Sequence, residues 1–192
     1  KMKSVLISIQ PKWCHRIIDG EKKIEVRKTK PKLATPFKVY IYCSAGSYDW
    51  RKDPWTTAYR PPNGEITNMS QMVIGEFVCD CITPLYNVCT DDWRLLHGGL
   101  HKIEKQLVGM ACLTEGELHE YASGRYCFAW HISELKIYDK PRELKKLCVW
   151  KKCNSCKISG YESTACRYDE DCKVPVVITR PPQSWCYVEG LP

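Results

Sequence analysis

The chain has no long apolar stretch. Its hydrophobic runs are short, Val176-Val177-Ile178 among them, where a membrane-crossing helix needs roughly 20 apolar residues. Repeats of 20–50 residues and low-complexity tracts are also missing, which excludes solenoids and linker arrays. No Gly-rich phosphate loop, His-Glu-x-x-His motif or Ser-His-Asp arrangement is present, so the reaction classes that depend on them have no support. The opening "KMKSVLISIQPKW" lacks an apolar core and a small-residue cleavage site, so no secretory signal is read there. Cysteine is not scarce, but its number, thirteen, is odd. A complete disulfide framework is therefore not expected, and the expected location is a reducing cytoplasm.

What is there suits a globular protein. The 192 residues are 44% apolar and 27% charged, with mean hydropathy −0.39, enough for one domain with a core of its own. The net charge is +7, from 29 Lys+Arg against 22 Asp+Glu. The basic residues concentrate in Lys22–Lys38 and Leu144–Lys157. That favours an anionic partner such as nucleic acid or a nucleotide. A basic surface serving solubility alone is the other reading.

Periodicity places the elements. "SVLISI" (4–9) alternates as a strand. Pro11 opens a helix that puts Trp13, Cys14, Ile17 and Ile18 on one side, and Gly20 stops it. "KIEVRK" and "FKVYIYC" read as strands. Residues 44–70 read as a long functional loop. "MVIGEFVCDC" reads as a strand with a bulge or close approach at Gly75. Two weakly helical patches over 91–107 are broken by Gly98-Gly99. "TEGELHEYASG" reads as a helix, with a Thr114/Glu117 capping box and a stop at Gly124. "YCFAWHISELKIYD" is one long strand or two bent ones, ended by Pro141. "VPVVITRPPQSWCYVE" is extended and bends at Pro181-Pro182. The fold class expected is α+β, mainly β: a small barrel flanked by short helices over 1–147. A Cys-rich segment and an extended tail packing on the barrel occupy 148–192.

One charged strand carries most of the functional argument. Glu25 and Arg27 are two residues apart and share a side, while Ile24 and Val26 share the other. The apolar side would fill the barrel; the charged side would face a cleft or solvent. An edge strand guarded by charges accounts for the pattern equally well. In a cleft, Arg27 would fork onto a phosphate or carbonyl. Lys22 would act as a base or nucleophile if it lost its proton beside Arg27, or simply bind if paired with Glu25. Trp13, Tyr48, Trp50 and Trp55 offer faces on which a base stacks. Core packing is the alternative for each.

"SIQPKWCHRIIDGEKKIEVRK" resembles the start of the ASCH domain, a member of the PUA-like superfamily. The shared pattern is Pro11 and Trp13 at the helix start, then Gly20, Lys22, Glu25 and Arg27. "VIGEFVCD" and "YCFAWHISELKIYDKP" look like later strands of that family, and the likeness runs over residues 3–147. It implies a PUA-like β-barrel whose cleft is lined by Gly20–Arg27. It also implies binding of RNA or modified nucleosides, with hydrolysis of acetylated cytidine in some small members. In those members the catalytic set is a lysine, a threonine three residues on and a later glutamate. Lys22 matches the lysine and Glu76 is the counterpart of the glutamate. Position 25 is Glu rather than Thr, which counts against that hydrolysis.

The five late cysteines fall as Cys148-x4-Cys153-x2-Cys156-x9-Cys166-x5-Cys172. Cys153 and Cys156 form a knuckle that can grip one metal. Cys166 and Cys172 complete a tetrahedral set, with Cys148 as the competitor. Structural zinc is the expected metal; an iron–sulfur cluster also takes four thiolates. Unligated thiols or a disulfide are the alternative. Three functions follow: an RNA or modified-nucleotide binding module; a hydrolase, acting on an acylated nucleoside or as a ribonuclease, with Lys22 and Glu25 or Glu76; or a zinc-knuckle interaction protein.

Overall fold

Hydrophobic alternation on both faces makes the first strand an interior one. In the computed structural model, which describes residues 3–45, 57–62, 64–85, 102–152 and 173–189, strand β1 spans Lys3–Ile9. Val5, Ile7 and Ile9 are buried on one face and Leu6 on the other. The remaining strands are β2 (Ile24–Arg27), β3 (Phe37–Cys43), β4 (Ala58–Tyr59), β5 (Thr67–Asn68), β6 (Met72–Cys79), β7 (Ile82–Leu85), β8 (Cys127–His131), β9 (Ser133–Glu143), β10 (Cys148–Lys152), β11 (Lys173–Val177) and β12 (Trp185–Glu189). Seven form one sheet in the order β11-β10-β12-β1-β3-β6-β9. Within it β1 and β3 run parallel, and β12 pairs antiparallel with β1. A second sheet has the order β2-β8-β7, and β4-β5 forms a ribbon.

This is a mainly β, α+β fold, but no closed barrel forms among the described residues. The reason lies within "YCFAWHISELKIYD", where the apolar positions change phase from Phe128, Trp130 and Ile132 to Leu135 and Ile137. The chain breaks at Ile132, and Glu134 takes a positive φ of 46°. β8 therefore joins β2 and β7, while β9 pairs with β6. The ends of the large sheet, β9 and β11, do not meet. Pro141 does not end β9 either. No strand pairs with the outer side of β9 among the described residues, so a missing N–H costs no ladder bond there.

Local signals set the helices. α1 (Pro11–Ile18) begins with Pro at its first turn and ends at Asp19, ahead of Gly20 at φ +72°. α2 spans Lys102–Met110 and α3 Glu115–Ala122. The capping box is formed: the Glu117 N–H donates to Thr114 Oγ1 at 3.1 Å, and the Thr114 N–H donates to Glu117 Oε2 at 2.9 Å. α3 ends at Ser123 and Gly124, both at positive φ.

Three apolar clusters hold the layers together. Trp130 of β8, Cys14 and Ile17 of α1 and the Val39 face of the large sheet form the first. The second joins Ile24, Val26 and Leu85 to Leu107, Val108 and Leu118 of α2 and α3 and their flanks. The third covers the opposite face of the large sheet, with Tyr40, Val73, Tyr138 and Val188. The apolar side of β2 thus packs under α2 and α3 rather than inside a barrel. Cys14, Cys43, Cys79 and Cys127 are buried; Cys81 is exposed.

Candidate functional site

β2 lies at the edge of its sheet, yet its charges are not in solvent. Lys22, Glu25 and Arg27 are 3%, 6% and 8% exposed. Gly20 reverses the chain after α1, which brings Lys22 inward. Its Nζ donates to the Ala111 carbonyl at 2.7 Å and lies 3.4 Å from Glu25 Oε2. Two residues along the same face, Arg27 Nη2 lies 2.9 Å from Glu25 Oε1 and donates to the Ser8 carbonyl at 2.6 Å. One carboxylate therefore bridges two cations. The Nε–H of Arg27 is buried with no acceptor among the described residues. A buried donor left this way costs about 1–3 kcal/mol, so the arrangement favours a ligand that brings an acceptor.

These residues line a cavity of about 920 Å³ between the end of β1, α1, β2 and α3. The volume falls within the range of small-molecule and cofactor pockets. Trp13 is on one wall, with Lys12 Nζ 4.2 Å and Lys22 Nζ 4.9 Å from its ring. Such cation–π contacts fix the indole in place. Tyr121 of α3 is on another wall. Three cations (Lys12, Lys22, Arg27) and three carboxylates (Glu25, Glu117, Glu120) face the space. The opposing charges are balanced, so directional hydrogen bonds rather than net charge select what enters.

The C-terminal segment supplies the last wall, and it also pairs with the large sheet. Pro181–Ser184 line the cavity, and the next residues form β12 beside β1. The wall is pinned at several points. Ser8 Oγ donates to the Pro182 carbonyl at 2.6 Å, and the Ser8 N–H donates to the Ser184 carbonyl at 2.9 Å. Trp185 Nε1 donates to Thr29 Oγ1 at 2.9 Å, and the Lys32 N–H donates to the Tyr187 hydroxyl at 2.7 Å. Behind the site lies the Cys14 thiol. Burial pushes its pKa well up, and the neighbouring Cys43 adds to this.

The fold brings Trp13, Lys22, Glu25 and Arg27 together and leaves Glu76 elsewhere. Glu76 on β6 shares the face of Tyr40, on the far side of the large sheet from Val39. There Lys38 Nζ lies 2.9 Å from its Oε1, and the Tyr138 hydroxyl donates to its Oε2 at 2.6 Å. Tyr48, Trp50 and Trp55 fall outside the described residues, as do Cys153, Cys156, Cys166 and Cys172. Cys148 is half-buried on β10, opposite Val177. Among the described residues no group of three or more His, Cys, Asp or Glu side chains is placed to hold a metal.

Missed by sequence reasoning were Tyr121, Lys12 and the Pro181–Ser184 wall. Only the wall had a sequence signal, the extended, proline-bent tail; Tyr121 and Lys12 had none.

No family model and no curated protein sequence matches the chain. Solved structures do. A tyrosine-to-phenylalanine mutant of the ASCH protein from Zymomonas mobilis superposes with a TM-score of 0.52 at 16% identity, over 98% of this chain and 91% of that one. The unmutated Zymomonas mobilis ASCH gives 0.50 at 16% identity, over 97% and 87%. A serine-to-alanine mutant gives 0.50 at 17% identity, over 97% and 88%. The chain has the fold of these ASCH proteins.

Proposed function

We propose that this protein is a binding module for RNA or a modified nucleotide, with one base held between Trp13, Arg27 and the Pro181–Ser184 wall. The observation that carries the reading is the buried Lys22–Glu25–Arg27 network beside the cavity, with the Arg27 Nε–H unsatisfied. A preformed set of fixed donors and acceptors suits a heterocycle edge, and the wall aromatics suit its faces. The ASCH-like fold is compatible with this role and does not establish it.

A hydrolase reading has one specific observation in its favour. Lys22 and Glu25 are adjacent inside the cavity, 3.4 Å apart. Against it, the Lys22 ammonium is engaged by Glu25 and by the Ala111 carbonyl, and Glu76 lies outside the cavity lining. Zinc on Cys153, Cys156, Cys166 and Cys172 belongs to the same proposal as a structural support.

The test is calorimetric titration of the wild type, Arg27→Lys and Lys22→Ala with acetylated cytidine, other modified nucleosides and short RNA, with product release followed in parallel. Binding that weakens tenfold or more in Arg27→Lys, whose charge is kept and fork lost, supports the module. Turnover that disappears in Lys22→Ala makes the protein a hydrolase. Undiminished binding in Arg27→Lys sinks the cleft as the site.

A further inference from the structure

A second charged surface lies along β9, away from the cleft. Lys136, Lys140, Arg142 and Lys146 are all exposed and line a groove of about 960 Å³. Residues 136–146 hold five cations and two carboxylates, and one of the two, Glu143, is paired with Lys145. Glu76 on the neighbouring strand stands opposite Lys136 and offsets part of the strip's charge, but it is shared with Lys38 and Tyr138. The Arg142 guanidinium packs 4.1 Å from the Tyr138 ring centre, which holds it against the strand instead of leaving it free in solvent.

Edge guarding explains a lysine or two on an outer strand. It does not explain four cations along one groove. Nor is the edge suited to adding a peptide strand. Pro141 has no N–H to offer, and the Tyr138 carbonyl already accepts from the Tyr59 hydroxyl at 3.3 Å. What the groove presents is positive charge in a line, which fits a polyanion backbone.

Sheet register relates this strip to the cleft. Ile9, which lines the cavity, is aligned with Cys43, Cys43 with Met72, and Met72 with Glu143. Three strand spacings, about 14 Å, separate the two ends of that row; the strip's cations stand on the other face of the sheet, Lys136 opposite Glu76 and Arg142 opposite Val73, so a path between the sites also turns around the sheet. A short oligonucleotide spans such a distance. We infer that the Lys136–Lys146 strip is a second nucleic-acid contact, holding the phosphodiester backbone of a single-stranded RNA whose base occupies the cleft. The second half of that statement rests on the cleft reading above; the phosphate contact does not.

The experiment compares the wild type with the triple variant Lys136→Gln, Lys140→Gln, Lys146→Gln. Anisotropy of a labelled short single-stranded RNA is measured across a salt series, and nucleoside binding by calorimetry. All three lysines are exposed, and a thermal melt checks the fold. Each lost phosphate contact removes about 0.7 from the log–log salt slope, so the triple variant lowers it by about 2. Between about 50 and 200 mM salt that is a roughly twentyfold weakening which the wild type shows and the variant does not. A lowered slope with unchanged nucleoside binding supports the inference. A lowered slope with no nucleoside bound by either protein upholds the strip and removes the cleft reading. An unchanged slope, no RNA binding by the wild type, or displacement of RNA by polyglutamate at equal charge concentration overturns the inference. Should the triple variant melt early, Arg142→Gln alone decides, with an expected loss of about 0.7 in slope.

Discussion

Glu25 holds Arg27 at 2.9 Å in a site where neither side chain is more than a tenth exposed. The same carboxylate faces Lys22. Removing it leaves two buried cations without their shared counter-charge. Glu25→Ala is expected to lower stability by about 3–5 kcal/mol, as for other broken buried pairs. Denaturant unfolding measures this. A loss under about 1 kcal/mol, the range of exposed pairs, would show that the network is solvated.

Glu76 gives a pH signature unrelated to the cleft. Burial alone would raise its pKa; the hydrogen bonds from Tyr138 and Lys38 outweigh that and hold it below the ordinary value. A lowered folded-state pKa means that ionised Glu76 adds stability above the unfolded value, about 4.3. That stability is lost as the pH falls through the folded value. The partner is opposite in sign: the hydrogen bond to Glu76 raises the Lys38 pKa, so its contribution holds below about 10.4 and fades as the pH rises past the folded value. Glu76→Gln is expected to be less stable than wild type at neutral pH, and the two stability curves should converge in acid. Parallel curves from pH 7 to pH 3 would contradict the shift.

Gly75 admits no side chain. A Cβ there would lie 2.5 Å from the Lys136 carbonyl oxygen. Gly75→Ala forces β6 and β9 apart at a backbone contact, with an expected cost of about 1–3 kcal/mol. Thermal melting of the variant tests it, and an unchanged midpoint would mean that β9 yields freely.

Thiol labelling separates the cysteines. Cys14, Cys43, Cys79 and Cys127 are buried, and burial raises the Cys79 thiol to about 12. Under native conditions iodoacetamide should spare these four and modify Cys81. Peptide mass spectrometry reads the pattern. Early modification of Cys14 or Cys79 would contradict the packing described for them.

Metal content tests the zinc proposal. The purified chain is expected to carry about one zinc, lost in the double variant Cys153→Ser, Cys156→Ser. Elemental analysis decides, and a metal-free protein with an unchanged melt would remove zinc from the account.

Much of the frame was legible because its signals are local. The Thr114/Glu117 box and the Gly20 stop depend on residues a few positions apart, and each formed as read; at Gly75 the sequence marked a close approach but not its distant partner, the Lys136 carbonyl. The split between β8 and β9 was legible only in part: the sequence allowed one long strand or two bent ones, and the apolar positions change phase from Phe128, Trp130 and Ile132 to Leu135 and Ile137. That the two strands join different sheets was not legible, because it depends on partners far along the chain. The same division explains the site. Glu25 and Arg27 share a side by strand geometry, which spacing gives. Their burial, the Ala111 carbonyl on Lys22, Tyr121 and the Pro181–Ser184 wall come from distant parts of the chain, which spacing does not.

The first strand owes its interior position to the last. β1 is flanked by β3 on one side and by β12 on the other, and the residues just before β12 close the cavity. During synthesis, β1 waits with one edge open until residue 189 has left the ribosome. Until then it is a template for wrong pairing, and the pocket lacks a wall. The closed cavity therefore arrives with β12 rather than growing along the chain, and a nascent protein halted before β12 has an open-sided cleft.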